Sequence, residues 1–94
     1  MKPSKMTGLR ISVSGNVQGV NFRSETQRKA EELEIQGYVK NLESGKVEIE
    51  AQGSDEAMQK FLDWLKVGPA ASDVEDVKST PVQMGDYSGF EIVR

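Results

Sequence analysis

The chain has 94 residues, 36% hydrophobic and 29% charged, with 12 Lys and Arg against 15 Asp and Glu, giving a net charge of −3. This size and balance are typical of one folded domain with a single core. Because the sequence has no cysteine and no histidine, disulfides, thiolate metal sites, cysteine nucleophiles and histidine bases are excluded. The absence of a broad basic field argues against nucleic acid as a partner.

The chain is predicted to have a short N-terminal tail, residues 1–7, and a single domain over residues 8–94. The start MKPSKMTG carries two lysines, but no apolar run of the length of a signal peptide or membrane anchor follows it. We therefore expect no membrane association and a cytoplasmic location.

Alternating apolar and polar residues predict a first strand over residues 9–14, LRISVS. The loop GNVQGVNFR, residues 15–23, follows it and leads into a predicted helix over residues 24–34. Gly37 ends that helix, and GYVKNL and KVEIEA then form a predicted hairpin around the turn ESG.

A second helix is predicted from the N-cap Ser54 to Val67, ending at Gly68-Pro69. Weaker patterns predict a strand near Val74 and Val77 and a closing strand near Phe90 and Ile92. The order β-α-β-β-α-β with an extra strand predicts an α/β (α+β) fold. Its expected form is a ferredoxin-like split β-α-β sandwich, an antiparallel five-stranded sheet with two helices on one face.

The loop between the first strand and first helix has the composition of an anion-binding turn. Gly15 and Gly19 permit positive φ, the first amides of a helix lack internal partners, and Arg23 adds a two-pronged cation. The loop lacks the Gly-Lys-Ser/Thr that ends a nucleotide-binding P-loop. The alternative is a tight turn whose Val17, Val20 and Phe22 fill the core and whose Arg23 is solvated.

Asn41 is the second candidate site residue. It stands at the predicted end of strand two, which runs parallel to strand one in this topology, so both strands end at the edge that carries the loop. An Asn there can orient a water through one accepted and one donated hydrogen bond, or it can simply satisfy the hairpin turn.

Two sequence blocks carry a family resemblance. The first, G-x-V-Q-G-V-x-F-R, is formed here by Gly15, Val17, Gln18, Gly19, Val20, Phe22 and Arg23. The second, G-x-V-x-N-x-x-x-G-x-V-E, is formed by Gly37, Val39, Asn41, Gly45, Val47 and Glu48. With these blocks, and with a likeness from Gly8 to the C-terminus, the chain resembles the acylphosphatases.

The resemblance implies a ferredoxin-like fold and hydrolysis of small acyl phosphates to a carboxylate and inorganic phosphate. It implies that Arg23 and Asn41 are catalytic, with Asn41 positioning the attacking water, and that Gly15 and Val17 shape the loop. It implies a phosphate cradle formed by Gln18, Gly19, Val20, Asn21, Phe22 and Arg23. No metal or organic cofactor is implied, and a monomer is the simplest expectation.

One departure from the family pattern concerns the end of the first helix. The family often has Leu-Gly-Leu there, whereas this chain has Leu33-Glu34-Ile35. The geometry of this helix cap is therefore left open.

Two other functions are alternatives to the enzyme. The first is a non-catalytic ferredoxin-like module that senses an anion or docks a partner. The second is an RNA-binding sheet, which needs exposed aromatics that strands one and three are not expected to present. Asp73 and Asp76 are interpreted as charges that protect an edge strand rather than as a cation site.

Overall fold

The computed structural model describes residues 5–69 and 72–94. These residues form five strands and two helices. In chain order they are β1 (Met6–Asn16), α1 (Phe22–Glu32), β2 (Gln36–Asn41), β3 (Val47–Ser54), α2 (Asp55–Val67), β4 (Asp73–Pro81) and β5 (Phe90–Val93).

The strands form one sheet in the order β4-β1-β3-β2-β5. Three neighbouring pairs are antiparallel, but β5 lies parallel to β2, so the sheet is mixed and not antiparallel throughout as predicted. The path of the chain explains the difference. Pro81 at the end of β4 pairs with Leu9 near the start of β1, whereas Phe90 pairs with Gly37 near the start of β2. The connecting segment thus crosses to the start of β2, and β5 has to run in the same direction as β2.

Both helices pack on one face of the sheet, as predicted. The alternation of apolar residues along the inner strands puts one face of each strand into the core. The sheet contributes the buried residues Ile11, Val13, Val39, Val47 and Ile49, and the helices contribute Phe22, Ala30, Met58, Phe61 and Leu65. The ferredoxin-like α+β fold predicted from the sequence is confirmed.

Several element boundaries differ from the predicted ones. β1 begins at Met6, inside the predicted tail, and α1 begins at Phe22, two residues earlier than predicted. The early helix start has a local cause. Asn21 adopts a left-handed conformation (φ 60°), and its carbonyl accepts the first helical hydrogen bond from the Glu25 amide at 3.0 Å. α2 matches its prediction, since the Ser54 hydroxyl caps the Ala57 amide at 3.1 Å.

β1 and β3 present no aromatic side chain, as predicted, but the face of the sheet opposite the helices carries two that come from elsewhere in the chain. Tyr38 of β2 and Tyr87 of the segment before β5 pack edge to face with ring centroids 6.3 Å apart. Their hydroxyls are occupied, because Tyr38 donates to Glu48 at 2.8 Å and Tyr87 donates to Glu50 at 2.7 Å. The sequence pattern missed them because Tyr38 was not placed on a face and Tyr87 lies outside any strand.

Glu50 is the centre of this polar layer. The Arg10 guanidinium donates to it at 2.7 Å and Tyr87 donates to its other oxygen, and these bonds lower the pKa of the Glu50 carboxyl. Burial and the bond to Glu50 raise the pKa of the Tyr87 hydroxyl to about 12. Both shifts favour the pair in which Glu50 is ionised and Tyr87 is protonated.

Glu50 is therefore expected to make folding stability depend on acid. Because its pKa is lower in the folded state than in the unfolded state, its contribution is complete above the unfolded pKa and is lost as pH falls through the folded pKa. We measure the free energy of unfolding by urea denaturation at a series of pH values. As pH falls below about 5, this free energy should decrease less in Glu50→Gln than in the wild type. Glu91→Gln, an exposed change on β5, is the control, and its free energy of unfolding should depend on pH as in the wild type. If the free energy of unfolding of Glu50→Gln depended on pH as in the wild type, this role would be contradicted.

The open question about the end of α1 has a geometric answer. Glu34 is left-handed (φ 58°). The Ile35 amide donates to the Ala30 carbonyl at 2.8 Å and the Glu34 amide donates to Glu31 at 3.1 Å, which is a Schellman cap. Glu34 thus occupies the position that usually belongs to glycine.

Glu34→Gly should stabilise the protein. A side chain in the left-handed region costs roughly 1–2 kcal/mol, and the added freedom of glycine in the unfolded chain offsets about 0.5–1 kcal/mol of that gain. We expect a net increase of about 0.5–1 kcal/mol in the free energy of unfolding, measured by urea denaturation. Glu34→Ala is the matched control, because it removes the carboxylate but keeps the Cβ. An equal gain in both variants would assign the effect to charge.

Candidate active site

The site lies at the edge of the sheet where β1 and β2 end. Val47 of β3 pairs with Val13 of β1 on one side and with Asn41 of β2 on the other. Since neighbouring strands lie about 4.8 Å apart, the ends of β1 and β2 are separated by roughly 10 Å, with one strand between them. The predicted placement of Asn41 at the same edge as the loop is confirmed.

Gly15 lies at an irregularity in the pairing of β1 with β4, one residue before β1 ends. The pairing of β1 with β4 shifts between Ser14 and Gly15, and Gly15 has φ 123°. A Cβ at this position would lie 2.2 Å from the carbonyl oxygen of Asp73 and 2.7 Å from the amide nitrogen of Glu75. Only glycine fits this close approach of two backbones, so Gly15 keeps the last residues of β1 against β4 immediately before the loop begins.

The loop is anchored by apolar side chains and opened by its backbone. Val17 and Phe22 are buried in the core at its two ends, and Val20 is half-buried against the core. Between them, Gly19 (φ 75°) and Asn21 (φ 60°) are left-handed. The two interpretations of this loop are therefore compatible, because the apolar residues fill the core while the backbone is free to form a concave surface.

The start of α1 supplies amide groups at the same place. The first helical hydrogen bond is made by the Glu25 amide, so the three preceding amides of α1, residues 22–24, have no acceptor within the helix. Asn21 makes no side-chain capping bond in the described part of the chain. These amides and the helix dipole create positive potential suited to an anion.

A cavity of about 280 Å³ lies against this loop. It is lined by Val17, Gly19, Asn21, Phe22, Arg23, Ser24, Asn41 and Arg94. The structure thus brings most of the sequence-predicted site residues to one cavity. Gly15, Gln18 and Val20 are not among its lining residues.

Two lining residues were missed by the sequence analysis. Ser24 follows Arg23 in the first turn of α1, and this proximity could have identified it. Arg94 follows β5 and carried no sequence signal, because its approach to the cavity depends on the parallel pairing of β5 with β2. The lining therefore includes two arginines and no acidic residue, which favours an anionic ligand.

Arg23 is half-buried and is held by β5. Its Nη1 donates to the carbonyl of Val93 at 3.0 Å. A guanidinium has five donor hydrogens in a fixed fork, so this bond orients the group and leaves other donors for a ligand in the cavity.

Asn41 presents an unused acceptor. Its Oδ1 is buried and has no hydrogen-bond partner among the residues that the structure describes. A buried amide oxygen without a partner costs roughly 1–3 kcal/mol, so such an atom is rare and calls for a ligand or water. Asn41 also lines the cavity, so this unsatisfied acceptor belongs to a side chain that borders the place where a small molecule would bind.

Gln18 links the two halves of the site. Its Nε2 donates to the carbonyl of Leu42 at 2.8 Å and to the carbonyl of Lys46 at 2.9 Å, both in the turn after Asn41. The side chain therefore leaves the cavity and fixes the distance between the loop and the β2–β3 turn. This contact was not anticipated from the sequence.

The described ranges contain neither a cluster of metal ligands nor a membrane-spanning helix. No group of three Asp, Glu, His or Cys side chains in residues 5–69 and 72–94 has a geometry that would hold a metal ion. Within the same residues, neither helix has the length and apolar character needed to cross a bilayer.

The comparisons with known proteins agree with this geometry. The acylphosphatase family model matches residues 9–92. An acylphosphatase of Archaeoglobus fulgidus is 47% identical over 87 residues, which are 93% of this chain and 98% of that protein. A structure of an acylphosphatase from Coxiella burnetii has a TM-score of 0.92 at 38% identity and covers 99% of this chain and 100% of that one. An acylphosphatase from Bacillus subtilis has a TM-score of 0.90 at 37% identity, with coverage of 96% and 100%.

The match thus extends over nearly the whole length of both partners in sequence and in fold. It includes the loop that begins at Gly15 and the strand that ends at Asn41. The chain belongs to the acylphosphatase family.

Proposed function

We propose that this chain hydrolyses the carboxyl–phosphate bond of small acyl phosphates in the cavity between the 15–23 loop and Asn41. The observation that carries the proposal is that Asn41, whose buried Oδ1 has no partner among the described residues, lines the same cavity as Arg23 and the start of α1. One part of this cavity suits a phosphoryl group and the other suits a water.

The phosphoryl group is expected to bind at the loop. The amides from Gln18 to Arg23 surround its oxygens, and Arg23 donates from the guanidinium nitrogens that do not bind Val93. Charge on the equatorial oxygens is then stabilised by groups already in place, and such preorganised donors supply much of the catalysis in phosphoryl transfer.

The attacking water is assigned to Asn41. Its Oδ1 accepts a hydrogen bond from the water, which satisfies the buried oxygen and directs a water lone pair toward phosphorus. The separation of the two strand ends by β3 leaves room for substrate between this water and the loop. Holding the water in line with the leaving carboxylate reduces the entropic cost of the attack.

The leaving group explains why no histidine is needed. A carboxylate is the conjugate base of an acid with a pKa of roughly 4, so it departs without a proton from a general acid. We propose that the proton of the water passes to an oxygen of the phosphoryl group itself. This route predicts a pH–rate profile that follows substrate ionisation.

Removal of either proposed catalytic side chain should abolish most activity without unfolding the protein. For Arg23→Ala we expect nearly complete loss, because the phosphate loses its only side-chain cation in the loop. For Asn41→Ala we expect kcat to fall roughly 10²–10³-fold, as when one oxyanion-hole donor is removed. The measurement is hydrolysis of benzoyl phosphate with a chelator present, and phenyl phosphate tests selectivity for the acyl phosphate.

The chain offers matched controls for both substitutions. Arg28→Ala removes an exposed arginine further along α1 that does not line the cavity. The Arg28 guanidinium pairs with the Glu25 carboxylate at 2.6 Å. Asn16→Ala removes an exposed asparagine at the end of β1 that does not line the cavity. Near wild-type rates in Arg23→Ala or Asn41→Ala would refute the assigned roles, whereas equal losses in the controls would point to general damage.

Gln18→Leu should separate positioning from phosphate binding. Loss of two hydrogen bonds worth about 1 kcal/mol each loosens the turn after Asn41. Because small misplacement of a catalytic group is costly, kcat should fall roughly tenfold or more. The inhibition constant of inorganic phosphate should change less, since Arg23 and the helix amides remain. Gln59→Leu, an exposed change on α2, is the control; unchanged kcat in Gln18→Leu would contradict the clamp.

The remaining parts of the proposal are a metal-independent, monomeric, cytoplasmic enzyme that does not act on nucleic acid. Full activity with the chelator and a monomer mass by size-exclusion chromatography with light scattering are the expected results. Nothing in the comparisons favours the non-catalytic module, whose signature would be phosphate binding without turnover.

A further inference from the structure

β5 lines no part of the cavity, but it fixes the orientation of Arg23, which does. It has four residues, it pairs with β2 alone, and it carries the Val93 carbonyl that holds Arg23. An edge strand of this length has few backbone bonds to fix its position along its neighbour. The position of Val93 relative to α1 therefore needs another constraint.

Gln27 of α1 provides a contact at the other end of β5. Its half-buried side chain donates from Nε2 to the carbonyl of Phe90 at 2.9 Å. The Gly89 carbonyl accepts from Gly37 of β2 at 2.9 Å. Because successive carbonyls of a strand point to opposite sides, the Phe90 carbonyl faces away from β2, toward the open edge of the sheet. Gln27 is thus the partner of a carbonyl that no strand can reach.

Arg23 and Gln27 form a pair on one side of α1. Residues four apart in a helix are neighbours on its surface. Arg23 binds the carbonyl of Val93, the last residue of β5, and Gln27 binds that of Phe90, the first residue. Two side chains of one helix therefore hold both ends of one strand. Phe90 is further fixed by its ring, which packs edge to face on Phe61 with centroids 6.2 Å apart.

We infer that Gln27 is a positioning residue for the reaction, acting through β5 on the orientation of the Arg23 guanidinium. The inference rests on the proposed function, in which Arg23 binds the phosphoryl group. Because Gln27 binds the Phe90 carbonyl, it fixes the position of β5 along the axis of α1. The Val93 carbonyl is then held opposite Arg23. Without Gln27, β5 can shift along α1, and Arg23 loses the bond that aims its free donors at the cavity.

A purely structural role for Gln27 makes a different prediction. If Gln27 only covers the open edge of β5, its loss lowers stability and reduces activity by the same factor whatever residue stands at position 23. If it acts through Arg23, its effect depends on the guanidinium. Residues that act through a shared contact give non-additive effects in a double-mutant cycle, whereas independent sites add.

The test is a double-mutant cycle of Gln27→Met and Arg23→Lys. Methionine keeps the length of the side chain and removes the donor, and lysine keeps the charge at position 23 but loses the fork that can hold Val93 and phosphate together. We expect Gln27→Met to lower kcat/KM for benzoyl phosphate about tenfold alone and less than about twofold in the Arg23→Lys background. Gln59→Met on α2 is the control and should leave kcat/KM unchanged.

For the same four proteins, the dissociation constant of inorganic phosphate is measured by titration followed with NMR. Phosphate should bind more weakly to Gln27→Met than to the wild type, and equally to Arg23→Lys with or without Gln27→Met. Equal losses in both backgrounds, or no loss in folded Gln27→Met, would overturn the inference. Should Gln27→Met not fold, Gln27→Leu, which also lacks the donor, takes its place in the cycle, and the same losses are expected. An inactive folded wild type would refute the proposed function alone, because the phosphate cycle would still test Gln27.

Discussion

The candidate site depends on one constraint in the 15–23 loop: its apolar side chains pack in the core while the backbone between them stays unpaired with the sheet. Val17 and Phe22 are buried in the core and fix both ends of the loop, so the backbone between them cannot pair with the sheet. The start of α1 adds amides that its own helix cannot satisfy. Donors held in this way, and unable to relax, are the condition for electrostatic stabilisation of a developing charge. The candidate site is thus a consequence of how the first strand meets the first helix.

The rest of the fold supplies what this loop lacks. β3 separates the ends of β1 and β2 and sets the width of the cavity. Gln18 ties the loop to the turn that follows Asn41, and β5 brings the Val93 carbonyl to Arg23. The polar layer around Glu50 lies on the other face of the sheet and takes no part in the cavity. Its role is to hold the segment that leads into β5, through Tyr87.

Local patterns were sufficient to predict most of the fold. Alternation identified the inner strands, and Ser54 identified the start of α2, because these depend on neighbours in sequence. The loop and Asn41 could also be placed, since the split β-α-β order sends β1 and β2 in the same direction. The parallel pairing of β5, and with it Arg94 in the cavity, could not be predicted, because the weak apolar pattern of Phe90 and Ile92 contains no information on direction. The bonds of Gln18 and Gln27 were hidden for a related reason: a glutamine that binds a distant carbonyl looks like any surface glutamine.

The bond between Arg23 and Val93 joins residues separated by 70 positions in the chain. Contacts across such a span form only after a large loop has closed, and the entropic cost of closure delays them relative to local structure. The 15–23 loop and α1 can form early, but the guanidinium is oriented only when the last strand has docked. With Arg23 in its proposed role, appearance of catalytic activity during refolding reports completion of the whole sheet, while helical signal reports an earlier event.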